Sequence, residues 1–148
     1  MKKLLILCAA MVAVATMTAC KSGNHEVNYE YPGWDAIYSS SDSISIQHLL
    51  IRTAGDTLYY EYEIVVDDIL NPVHFVGQAI LKNGDSEIDE DEKGNAYQVD
   101  EYVSDGKEYL AFRFDADSHK RVRIVMDEAT AAKSNVTMPT VLSLSKCL

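Results

Sequence analysis

Few residues in this chain have types and spacing that could do chemistry. Six acids fall within eight residues: Asp85, Glu87, Asp89, Glu90, Asp91 and Glu92. From Asp89, acids alternate and Gly94 stands sixth, which partly fits a calcium loop ligated by Asp89, Asp91 and, at the twelfth place, Asp100. Lys93 occupies a place where an oxygen ligand belongs, and Asp100 stands where a bidentate Glu is usual. The plainer reading is a solvated hairpin tip, extended by repulsion among like charges. Tyr29, Tyr31 and Trp34 form an aromatic stretch that can stack on sugars or on a partner. Its plainer reading is a segment that lies across a sheet and plugs an open end of the core.

His25, His48, His74 and His119 are far apart, and none has metal-ligand spacing to another His or Cys. His48 and His74 fall in strand-like segments and can meet across a sheet. No Gly-x-Ser-x-Gly elbow, Cys-x-x-Cys pair or Gly-rich phosphate loop occurs. The sequence therefore calls for no catalytic residue, no cofactor and no firm metal site, and the chain is not read as an enzyme.

The first residues read as an address. Lys2 and Lys3 precede an apolar run, Leu4 to Met17, about 14 residues long and short of the ~20 that a membrane-spanning helix needs. This is the form of a secretory signal peptide. Its exit, Met17-Thr18-Ala19-Cys20, resembles the lipobox of bacterial lipoproteins, with Met17 in place of the usual leucine. The resemblance covers only the leader; the mature domain matches no family on its motifs. It implies cleavage before Cys20, lipidation of Cys20 and anchoring in the cell envelope, weakly favouring the outer membrane, facing the periplasm or the cell surface. Each acyl CH₂ buried in a membrane contributes about 0.8 kcal/mol. The alternative is cleavage upstream, after Ala13-Val14-Ala15. A sulfur that carries lipid cannot also bridge, so Cys20 is either an anchor or a candidate disulfide partner for Cys147. Asp42-Ser43-Ile44 and Asp56-Thr57-Leu58 resemble the O-glycosylation tripeptides of Bacteroidetes-type bacteria.

Charge narrows the partners. The 148-residue chain carries 13 basic and 23 acidic residues, net −10. Loss of the leader removes two lysines and no acids, which leaves −12. Nucleic acid is excluded as a partner, because its binders present a basic patch. Anionic headgroups repel such a domain, so it stands off the membrane on its tether.

The elements that must hold these residues are strands. Leu58, Tyr60, Tyr62 and Ile64 alternate with polar neighbours. So do Leu110, Phe112 and Phe114, and again Val122, Ile124 and Met126. Ala54-Gly55-Asp56, Asn83-Gly84-Asp85 and Ser104 to Lys107 read as turns, and Gly77 as a bulge within a strand. Asp127 to Ser134 has helical composition. The expected organisation is a signal peptide over 1–19, a lipidated Cys20 with tether and aromatic segment over 20–42, and a β domain over 43–148. That domain is an all-β antiparallel sandwich or small barrel of six to seven strands. The expected function is a lipid-anchored envelope binding or accessory protein. The alternatives are an inhibitor of a host or rival hydrolase resembling the lysozyme inhibitors, and a small envelope hydrolase or ligand carrier. The oligomeric state is not legible.

Overall fold

A computed structural model describes residues 33–41, 45–66, 72–82, 87–134, 136 and 139–148. The leader, Cys20, Tyr29, Tyr31 and the Asp42-Ser43-Ile44 tripeptide lie outside them. Strand β2 (Ser45–Ala54) and strand β3 (Thr57–Val66) form a long hairpin in register from Ser45↔Val66 to Ala54↔Thr57. Gly55, at φ 60°, makes its tight turn without the strain that a Cβ would add. Strand β1 (Ala36–Ser41) pairs with β2, and β4 (Val73–Leu81) pairs with β3. Strands β5 (Glu87–Glu90) and β6 (Ala96–Ser104) are followed by β7 (Leu110–Asp115), β8 (Arg121–Met126), the helix α1 (Glu128–Ser134) and β9 (Thr140–Cys147).

All pairings are antiparallel, and the strands run β4-β3-β2-β1-β9-β8-β7-β6. A short ladder between β4 and β6 (Ala79↔Ser104, Ile80↔Val103, Leu81↔Tyr102) closes them into an eight-stranded barrel. Closure removes the exposed edges that an open sheet would leave. Strand β5 pairs with the other half of β6 and continues the line of β4. The expectation of a small antiparallel barrel is thus met.

Two details differ from the expectation. The strand count exceeds six to seven because Ala36–Ser41 and Glu87–Glu90 are also strands. The strand region accordingly begins at Ala36, inside the segment read as a tether. Tyr38, in the same segment, belongs to β1 and so to the barrel wall. Its ring is 2% exposed, and its hydroxyl donates to the His119 carbonyl at 2.6 Å.

The barrel interior is packed with its own side chains. Tyr38, Leu49, Leu58, Tyr62, Ile64, Leu110, Phe112, Phe114, Val122, Ile124 and Leu142 are all buried there. Phe114 meets Tyr38 edge-on at 5.5 Å, and Tyr60 meets Phe112 at 4.7 Å. Such offset ring pairs are preferred over face-to-face stacking. A polar relay is buried among them: Tyr62 donates to Gln47 Oε1 at 2.5 Å, and Gln47 Nε2 donates to Ser45 Oγ at 3.2 Å. At the β8–β9 crossover, Asp127 accepts the Thr130 N–H at 2.8 Å and starts α1. Thr130 and Ser134 of that helix are buried, and Ala131 packs against the core.

Candidate functional site

With the interior filled, the surfaces left for recognition are the outer wall and the barrel ends. The outer wall has two unlike halves.

The β5–β8 half is charged and self-paired. Arg113 of β7 extends across β6 and meets Asp89 at 2.5 Å, Glu101 at 2.8 Å and Glu87 at 3.3 Å. Val99 of β6 stands opposite both Glu87 and Asp115 and is 3% exposed. Arg123 of β8 donates to the Glu90 carbonyl at 3.0 Å and lies 3.7 Å from Asp89. Arg121 lies 3.8 Å from the centre of the Tyr97 ring, a cation–π contact. Lys82 bonds Glu87 and Glu101, and these contacts raise its pKa and lower that of Glu87. Within the acidic stretch, Glu87–Glu90 form β5, with Glu87 and Asp89 paired to Lys82 and to the arginines of β7 and β8, while Asp91 and Glu92 lie in the β5–β6 hairpin turn and Asp85 lies outside the described residues.

The calcium candidates do not converge. Asp89 is on the outer face with the arginines, and Asp100 is on the opposite face of β6, paired to Phe114. Asp91 turns its carboxylate onto the N–H groups of Lys93 and Asn95, at 2.9 and 2.8 Å. These bonds, chiefly those from Asn95, hold its pKa below the usual carboxylate value. Among the described residues, no three His, Cys, Asp or Glu side chains gather as for a metal ion.

The histidines do not meet either. His48 on β2 and His74 on β4 both stand in register with Glu63 of β3, which separates them. His48 Nδ1 is 3.0 Å from Ser39 Oγ, and His74 Nε2 is 2.8 Å from Glu61. Of the aromatic candidates, Tyr29 and Tyr31 lie outside the described residues, and Trp34 is half-buried just ahead of β1. Cys147 is disulfide-bonded; if Cys20 carries lipid, the mature chain offers Cys147 no second cysteine, so this bond counts against the anchor.

The β1–β4 half of the wall is different. Ile37, Leu50 and Val76 share one cross-strand row with Glu61, and Ile46 and Val65 share another. Ile80 stands opposite Thr57 further along the same face. Ile46, Val76 and Ile80 are 45%, 66% and 43% exposed. Sequence reading missed this face because single exposed aliphatics are ordinary, and only register shows that these share one side of the wall, with the His48/Glu63/His74 and Arg52/Tyr59/Gln78 rows between them. No family model matches the chain, and neither the curated proteins nor the solved structures contain a significant match.

Proposed function

We propose that this chain is a lipid-anchored cell-envelope protein that works by binding a partner and performs no chemistry of its own. The leader and the Met17-Thr18-Ala19-Cys20 exit support the anchor. The exposed Ile46, Val76 and Ile80 on one side of the β1–β4 wall carry the binding reading, as aliphatic contact points set among charged residues. Its occupant is a protein with an apolar contact surface and a basic rim. Glu61 and Glu63 stand among the aliphatics, and a mature chain of net −12 steers a basic partner towards it.

The inhibitor alternative would need a free acidic loop to enter the cleft of a basic hydrolase. Its support is weaker, because Asp89 is 5% exposed and already salt-bridged.

A photo-crosslinking residue placed at Val76 in the native envelope tests the reading. One defined adduct is expected, absent when the probe stands at Lys107 on the β6–β7 turn. Adducts equal from both places, or from neither, would remove the docking face. A self-adduct of twice the chain mass would replace the partner with a second copy.

A further inference from the structure

Closure removes the free edge of β4 only at its C-terminal end. Among the described residues, β4 pairs with β3 and β6 alone, and its ladder to β6 covers just Ala79, Ile80 and Leu81. Bonds around that ladder fix which backbone groups look towards β6. The Lys82 N–H donates to the Glu101 carbonyl at 2.8 Å, and the Gln78 carbonyl accepts the Asp105 N–H at 3.2 Å. The Leu81 N–H points the other way, to the Asp56 carbonyl of the β2–β3 turn at 2.8 Å. In an antiparallel strand the N–H and C=O of successive residues alternate between the two neighbours. The N–H and C=O of His74 and Val76 therefore face the β6 side. No described strand stands there, because β6 ends at Ser104, the partner of Ala79. Four obligatory hydrogen-bonding groups are left along one edge. Gly77 agrees with an open seam: it belongs to the inward row of Phe75 and Ala79, yet it is exposed where they are buried.

The edge is also unguarded. Natural sheets blunt a free edge with charge, proline or a bulge. Strand β5, which pairs with β6 alone, carries Glu87, Asp89 and Glu90. Val73 to Gln78 reads VHFVGQ, without a Lys, Arg, Asp or Glu, and its register on β3 runs without a shift.

We propose that the partner of the docking face adds an extended strand to β4 along Val73 to Val76, an inference that rests on the binding reading above. Such a segment satisfies all four edge groups through its own backbone. It stops short of Gln78, whose carbonyl and side chain Asp105 already holds at 3.2 and 2.9 Å. On the outer face it sets an aliphatic residue beside Val76, which is 66% exposed. Its flanks are basic, since the chain is net −10 and Glu61 and Glu63 stand on the adjoining strand. A second copy of the chain fits less well, because it brings the same net charge and the same acids.

Two measurements test this. In the isolated mature protein, amide hydrogen exchange followed by NMR should be at least about tenfold faster at His74 and Val76 than at Phe75 and Gly77, whose N–H groups face β3. Equal protection of all four would show the edge already covered and overturn the inference. In the native envelope, the adduct from a crosslinking probe at Ile46 should survive His74→Ala and be lost in His74→Pro. The proline removes one edge-facing N–H and none that the β3 ladder uses, a place where strands tolerate it. The two variants should unfold at closely similar temperatures; if His74→Pro does not fold, the exchange result alone decides. An adduct retained by folded His74→Pro would overturn the added strand and leave the docking face standing. A wild type that gives no adduct would remove the docking face, and the added strand with it.

Discussion

Arg113 of β7 holds Asp89 of β5 across an intervening strand, at 2.5 Å, with Asp89 only 5% exposed. The pair anchors the four-residue β5, which Lys82 also reaches through Glu87 at 2.8 Å. Arg113→Met should leave a buried carboxylate with only Arg123 at 3.7 Å. The expected loss is about 2–4 kcal/mol in urea unfolding, because removing one partner strands the other charge. Asp89→Asn should cost less, since it removes the charge that needs compensation. Equal stability of wild type and Arg113→Met would show that the network is ornamental.

Gly77 was expected at a bulge, but the β3–β4 register runs through it without a shift, Tyr60 opposite Gly77. The glycine makes room instead. A Cβ there would stand 3.0 Å from the Tyr60 hydroxyl. Gly77→Ala should destabilise the barrel by about 1–2 kcal/mol through overpacking. Tyr60→Phe added to it should recover part of that loss. Additive losses in the double variant would contradict the close-approach account.

Tyr38 and Tyr62 have phenol pKa values pushed far above the ordinary value of 10.0 by burial. The sign follows from linkage. A group whose folded pKa is raised contributes stability that is complete below its unfolded value and is lost as pH rises beyond it. Stability should therefore fall above about pH 10. In an ultraviolet titration these two phenols should ionise together with unfolding and not before it. Early, reversible ionisation of every tyrosine in the folded barrel would contradict their burial.

On the docking face, Val76→Asp should change folding stability by no more than about 0.5 kcal/mol, as exposed substitutions do. It should nevertheless abolish the crosslinked adduct formed from a probe at Ile46. Retention of the adduct would place the contact elsewhere.

How much of this was legible depended on the range of the forces involved. The alternation of Leu58, Tyr60, Tyr62 and Ile64, and of Val122, Ile124 and Met126, is local, and the strands form where it predicts. The segment AIYSSS of β1 has no long apolar rhythm; pairing with β2 on one side and β9 on the other makes it a strand. Glu87–Glu90 reads as a repelling run because its neutralising arginines come from β7 and β8. The twelve-residue calcium spacing misled for a similar reason. On a hairpin, Asp89 and Asp100 point to opposite faces of one sheet, which a count along the chain does not show.

The central claim is an anchored binding domain, and the intact mass of protein extracted from the envelope without reductant tests it most directly. The account predicts a chain that begins at Cys20 and carries the added mass of acyl chains. A chain that starts upstream of Cys20, with no acyl mass and with Cys20 bridged to Cys147, would contradict it, since a thioether sulfur cannot also form that bridge.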